Sequence, residues 1–271
     1  MNDAQQITGK NGPTPNWSYD KAGNDTAGAS TPEGTRTAEK GSDYSQLTSL
    51  AVGGTTYAGQ YPSTDQSERP QLGQTTFHNG PLGFSAETTG GVDSGFNREP
   101  GGTLNSMTTG GRAYCFLTDA LGSVIGLADE SGTKVNTYTY SPRGVSRTTT
   151  EKVAQPYRFV GGHQDPTRLY RFGAGYYDPT IGRFTRPDPS SQEKNPDLYA
   201  EGDPANRIDP NGLNALTSCA SKATKRLDVA GAAVNVYSIG SQLGARRLSW
   251  GRIHRSGGSG LKSPSMPAVI M

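Results

Sequence analysis

Glycine pairs punctuate the first half of this chain, at Gly53-Gly54, Gly90-Gly91, Gly101-Gly102 and Gly110-Gly111. Adjacent glycines supply the positive φ angles that a tight hairpin needs. Turn signals spaced roughly ten residues apart leave room only for short strands that double back on one another. Between the turns the side chains alternate. TKVNTYTY places Asn136, Tyr138 and Tyr140 on one face and Val135, Thr137 and Thr139 on the other, the period of a half-buried strand. LTSLAVGGTTYAG reads as strand, Gly-Gly turn and strand, and SVIGLAD as the return strand after Leu121-Gly122. Only 31% of residues are hydrophobic, against 37 Gly and 18 Pro. That balance argues against a thick-cored α/β enzyme and for many short strands. Tyr, with 13 copies against seven Phe and two Trp, suits sheets that bury a ring and keep its hydroxyl on a polar partner.

Residues 1–113 are therefore expected to form degenerate strand repeats, partly disordered. WSYDKAGN (Trp17 to Asn24) reads as a strand running into a turn, with Asp20 bonding the backbone ahead. Thr88–Gly95 is expected to be a mobile loop. Residues 114–187 are expected to fold as antiparallel hairpins turning near Gly122, Gly132, Gly144 and Gly161. MNDAQQITGK has no apolar stretch, so no cleaved signal is expected at this start. Translation from within a longer parent gene and export by another route both fit. No run of eighteen apolar residues occurs, and no transmembrane helix is expected.

The last region changes character. Residues 214–271 hold eight Lys/Arg and one Asp, a net of +7. The first 213 hold 18 basic and 23 acidic residues, a net of −5. Apolar or small residues at 216, 220, 223, 227, 230, 234 and 237 follow helical spacing, which predicts a helix over 216–239, ended by Gly240. A basic tail on an acidic body suggests a separable part with its own anionic partner, nucleic acid among the candidates. A solvated charged tail is the plainer reading.

Four strings together carry a family resemblance: YCFLTDALGSVIGLADESGTKVNTYTYSPRG, PYRFVGG, LYRFGAGYYDPTIGRFTRPDP and NRIDPNGL. In order and spacing, Tyr114 to Leu213 resembles the RHS repeat-associated core, and YDKAGN resembles one of the YD repeats that precede it. The resemblance implies an all-β fold of antiparallel YD-repeat hairpins, here an incomplete shell, followed by a short α-helical or disordered tail. It implies three regions: 1–113 repeats, 114–213 core and 214–271 variable tail. It further implies a secreted or surface-borne polymorphic toxin of bacterial competition, with the rest of a shell and an immunity protein as partners. Three positions depart from the pattern. Ser141 stands where Asp is usual, Arg168 where Gly is usual, and Gly175 where Arg is usual.

Five Asp-Pro pairs begin at Asp165, Asp178, Asp188, Asp203 and Asp209. For most, Asp bonding a turn and Pro fixing the next φ explains the pair. By family position, Asp188 and Asp209 match the two aspartates of the RHS self-cleavage centre, with the cut after Leu213 of Gly212-Leu213-Asn214. Two close carboxylates share one proton. The charged one would activate water as base, and the protonated one would donate to the peptide carbonyl. Gly212 would let the backbone approach, and Leu213 would fill an apolar pocket. No cofactor, metal-ligand spacing, phosphate loop or nucleophile elbow is read in the sequence. Two competing readings remain: a non-catalytic surface module that binds proteins or glycans, and a degenerate RHS gene fragment.

Overall fold

In the computed structural model, the described residues are 6–9, 17–28, 30–31, 34–42, 44, 46–64, 68–173, 175–187, 195, 197–209 and 216–217. The strands in chain order are β1 (Ser18–Tyr19), β2 (Asp25–Ala27), β3 (Ser30–Thr31), β4 (Gly34–Gly41), β5 (Leu47–Val52), β6 (Thr55–Gln60) and β7 (Gln71–Leu72). They continue as β8 (Thr75–Gly80), β9 (Gly83–Thr89), β10 (Val92–Arg98), β11 (Leu104–Thr109), β12 (Arg112–Thr118), β13 (Val124–Asp129), β14 (Lys134–Tyr140) and β15 (Ser146–Thr150). The last group is β16 (His163–Gln164), β17 (Tyr170–Phe172), β18 (Gly175–Asp178), β19 (Arg183–Phe184), β20 (Arg207–Ile208) and β21 (Leu216–Thr217).

Strands β3 to β15 form one 13-stranded sheet in which each strand pairs with its sequence neighbours. The pairing is antiparallel throughout, as between β11 and β12 and between β13 and β14. The sheet runs without a break across residue 113. This is the all-β arrangement expected from the turn spacing, and it does not close into a barrel. Thr88–Gly95 is not a loop. It belongs to the β9–β10 hairpin, with Thr89 opposite Val92. Gly90 and Gly91 take φ of 59° and 80°, the mirror-image turn whose twist matches the flanking strands.

A second kind of turn repeats along the chain. Asp20, Asp119 and Asp129 each begin a five-residue loop. The aspartate carboxylate accepts the backbone N–H groups two and four residues ahead, at 2.8–3.0 Å. The glycine three residues ahead donates its N–H to the aspartate carbonyl and has φ of 80–88°. Glu99, Ser141 and Asp165 begin loops with the same backbone bonds. The expected turns at Gly122, Gly132, Gly144 and Gly161 all occur, each with positive φ.

One face of the long sheet is apolar. Phe96, Leu104, Met107, Tyr114, Phe116, Val124, Leu127 and Tyr138 are buried on it, and Tyr157 from the following segment covers them. Each such side chain contributes about 1.5–3 kcal/mol on leaving water. Tyr157 meets Phe96 and Phe116 edge-on. The chain turns from β15 onto this face through Asn136, whose Oδ1 accepts the Lys152 and Val153 N–H groups while its Nδ2 donates to the Val153 carbonyl.

Strands β16–β19 form a separate four-stranded sheet. Its aromatic core gathers Phe159, Tyr170, Phe172, Tyr177, Phe184 and Tyr199. Leu169 and Tyr176 reach the other way, onto Leu47, Leu50 and Val52 of β5. The small sheet is thereby fastened across the buried face of the large one.

The tail expectation is corrected at its start. Leu216–Thr217 is a strand, pairing antiparallel with β20 as Ile208 opposite Leu216. The apolar spacing suited a helix, but the partner strand β20 supplies hydrogen bonds that local propensity ignores. The remainder of the expected helix, 218–239, lies outside the described residues.

Candidate functional site

Of the expected cleavage residues, Asp209 is described. Asp188, Gly212, Leu213 and Asn214 lie outside the described residues. Asp209 follows β20 directly and is buried, 2% exposed. Its backbone N–H donates to the Tyr199 hydroxyl at 3.4 Å. Tyr199 sits among Phe172, Tyr177 and Phe184, with ring centres 4.6–5.8 Å away. Burial pushes the Tyr199 hydroxyl above its ordinary value, so it remains a neutral hydrogen-bonding group against Asp209. The approach to the other aspartate is also fixed. Thr185 N–H donates to the Tyr176 carbonyl, and Asp25 N–H to the Thr185 carbonyl. Arg186 is buried and donates to the Lys40 carbonyl. Pro187, the last residue before Asp188, lies beside Gly23.

Around this end of the small sheet lie charged groups of which the sequence singled out only Asp178, as the start of an Asp-Pro pair. Arg36 is fully buried and reaches three carboxylates: Glu39 at 2.6 Å, Asp178 at 2.8 Å and Asp25 at 3.1 Å. Three carboxyl groups share the one Arg36 guanidinium, while Arg186 also acts on Glu39. Burial and the Glu39 charge raise the Asp25 carboxyl despite Arg36. Asp197, whose carbonyl accepts the Phe184 N–H, is pushed up to about 6 by burial, against the opposing pull of Arg183.

A second group lies between β9 and β16. Arg69 binds Asp165 with both terminal nitrogens and also donates to the Tyr176 hydroxyl, which bonds Tyr61. The Arg69 guanidinium stacks over Phe77, 4.6 Å from the ring centre. His163 spans two carboxylates, with Nε2 2.7 Å from Glu87 and Nδ1 3.3 Å from Asp165. Burial alone would raise Asp165, but Arg69 outweighs it and holds the carboxyl below the usual range. Burial disfavours the charged imidazole, yet hydrogen bonds to Asp165 and Glu87 raise His163 above its ordinary value.

The departures from the repeat pattern acquire a geometry. Arg168 takes φ of 67° at the loop position where Asp119 and Asp129 are followed by Gly122 and Gly132. Ser141 Oγ accepts the Val145 N–H, one bond in place of the two an aspartate takes. Gly175 opens β18 opposite Phe172.

The Teneurin YD-shell family model matches residues 93–201. The crystal structure of TcdB2-TccC3-TEV is similar over 72% of this chain and 11% of its own, with a TM-score of 0.55 and 17% identity. Residues 93–201 are thus similar to a YD-shell, and the chain shares the fold of that structure. The Photorhabdus luminescens Tc holotoxin pore gives a TM-score of 0.45 at 16% identity, over 73% of this chain and 10% of its own. Salivary gland surface protein 1 of Aedes aegypti is 30% identical over 203 residues, which is 72% of this chain and 5% of that protein. This chain thus spans a small part of each relative's length. Among the described residues, no helix is long and apolar enough to cross a membrane, and no cluster of His, Cys, Asp and Glu could hold a metal.

Proposed function

We propose that this chain is the closing end of an RHS-type toxin shell, in which residues 114–213 cleave themselves after Leu213 and release the basic tail 214–271. The observation that carries the reading is Asp209. A carboxylate-bearing residue of the Asp-Pro-Asn-Gly-Leu string is buried where the small sheet meets the downstream chain. A buried aspartate beside a neutral tyrosine is suited to share a proton with a second carboxylate. Asp188 is the second by motif position. The ionised member would activate water, and the protonated member would stabilise the oxyanion. Further shell strands would add at the β3 edge of the long sheet. An immunity protein and an anionic target are the partners proposed for the tail, and a secreted or surface location follows from the same reading.

Mass spectrometry of the purified full chain tests this. A fragment beginning at Asn214 is expected, and it is lost in Asp188→Asn and Asp209→Asn but kept in Asp203→Asn. A fragment beginning at Pro210 instead marks acid scission of the Asp209–Pro210 bond. Persistence of intact wild-type chain after folding overturns the reading. The resemblance to a salivary gland surface protein favours a second one, an uncleaved surface module that binds glycans or proteins. Glycan binding by uncleaved Asp188→Asn protein would support it.

A further inference from the structure

The chain leaves β19 through Thr185, Arg186 and Pro187, and residues far upstream hold all three. The Thr185 N–H donates to the Tyr176 carbonyl of the small sheet, and the Thr185 carbonyl accepts the Asp25 N–H, each at 2.8 Å. Arg186 is buried and donates from Nη2 to the Lys40 carbonyl at 3.2 Å. Pro187 lies against Gly23, so closely that a methyl group on Gly23 would come within 3.0 Å of the Pro187 Cγ. On its other side Gly23 meets Gln6, whose Nε2 donates to the Gly23 carbonyl.

Gly23 sits in the loop between β1 and β2, and that loop has a fixed shape. The Asp20 carboxylate accepts the Ala22 and Asn24 N–H groups and the Asn24 side-chain amide, and the Gly23 N–H donates to the Asp20 carbonyl. Gly23 takes φ of 88°, a conformation that glycine enters without steric cost. The loop at Asp129 is built in the same way, with φ of 80° at Gly132, but a methyl group there would meet nothing within 4 Å. Gly23 thus combines the left-handed backbone with a close approach by another part of the chain. The strand that follows is fastened as well. The Asp25 carboxylate binds Arg36, which also binds Asp178 of the small sheet.

We propose that Gly23 is a positioning residue for the cleavage centre: with Asp25 it holds the backbone of residues 185–187, so that the next residue, Asp188, is delivered to one place. The inference rests on the reading that Asp188 and Asp209 cut the chain after Leu213. Two carboxyl groups share a proton only at close range, and a displacement of about 1 Å in such a centre costs about a hundredfold in rate. The contacts that fix the segment come from the opposite end of the chain. Cleavage therefore waits until the β1–β2 loop has docked, and a chain whose first hairpin is not in place stays whole.

The test follows cleavage of the full chain over time during cell-free synthesis, read by mass spectrometry as the fragment beginning at Asn214. Asn tolerates positive φ better than other side chains, so Gly23→Asn adds bulk against Pro187 with little backbone strain. It should slow the cut at least tenfold. Gly132→Asn, in the same kind of loop facing open space, should leave the rate within twofold of wild type. Pro187→Ala removes the ring that the new side chain meets. Alone it should slow the cut less than threefold, and combined with Gly23→Asn it should bring the rate back to that level, a rescue that general destabilisation would not give. Should Gly23→Asn fail to fold, Gly23→Ala, with a single methyl group at the same contact, should slow the cut in the same direction by a smaller factor. A readout without cleavage uses the Asp188→Asn chain, where Gly23→Asn should shift the Arg186 amide resonance in NMR spectra and Gly132→Asn should not. A wild-type chain that is cut, with Gly23 variants cut at the same rate, overturns the inference and leaves self-cleavage standing. Equal slowing by Gly132→Asn, no rescue by Pro187→Ala, or an unmoved Arg186 resonance overturns it as well. An uncut wild-type chain overturns the cleavage reading, and the inference falls with it.

Discussion

Arg69 and Asp165 meet through two parallel hydrogen bonds of 2.7 Å each, with both side chains fully buried. Arg69 precedes β7 of the long sheet, and Asp165 follows β16 of the small one, so the pair bridges the two. Removing one partner leaves the other's charge buried and uncompensated. Asp165→Asn and Arg69→Met should each lower unfolding free energy by about 3–5 kcal/mol. The double variant should recover part of the loss. Urea unfolding followed by circular dichroism measures all three, and additive losses in the double variant would refute the coupling.

His163 gives the fold a pH dependence of predictable sign. Its folded pKa is raised above the ordinary value near 6.5. The stabilisation it supplies is therefore complete below about pH 6.5 and lost as pH rises through the higher folded value. Asp197, raised to about 6, acts in the same direction between roughly pH 4 and 6, where the folded chain holds a proton that the unfolded chain releases. The melting temperature of the wild type should fall from pH 6 to pH 9. In His163→Gln that slope should flatten, and in Asp197→Asn the fall between pH 4 and pH 6 should shrink. An unchanged slope in His163→Gln would assign the effect elsewhere.

The five-residue loops predict stabilising changes. Arg168 takes a left-handed conformation that costs a non-glycine residue about 1 kcal/mol, and its side chain is exposed. Arg168→Gly should stabilise the chain by roughly 0.5–1 kcal/mol. Ser141→Asp should add about 0.5 kcal/mol, since a carboxylate can take the Arg143 N–H besides that of Val145. Chemical denaturation of both variants is the check.

Asp178 and Asp203 share the Asp-Pro string, yet substitution should cost far more at Asp178 than at Asp203. Asp178 is buried on Arg36 and also accepts the Thr180 N–H and hydroxyl. Asp178→Asn should cost about 2–4 kcal/mol by weakening the buried Arg36–Asp178 ion pair between β4 and β18. It is thus a poor control for cleavage, because lost folding would mimic lost chemistry. Asp203 is exposed and its carboxylate accepts only from Asn206 among the described side-chain hydrogen bonds, so Asp203→Asn should change stability by under about 0.5 kcal/mol. Thermal melts run beside the cleavage assay separate the two effects.

The sequence by itself determined the strands and turns, because both are local. Alternation over Lys134–Tyr140 put Asn136 and Tyr138 on the buried face. Gly122, Gly132 and Gly144 marked loops whose bonds close within five residues. Arg168 was visible as a departure, although only its φ explains what the departure costs. The candidate site was legible only in part. Asp209 stood out through its Asp-Pro-Asn-Gly-Leu string, and its burial under Tyr199 was not visible in the residues. Tertiary structure alone decided which polar groups became the buried clamps. Arg36 finds Asp178 from 142 residues away, and Arg69 finds Asp165 from 96. Nothing near Arg36 or Arg69 in the chain marks such a partner. A buried charge is tolerated only once its counter-charge arrives, and that arrival depends on how the small sheet lies against the large one. The same holds at Leu216, where a helical spacing yields to strand pairing because β20 comes within hydrogen-bonding reach.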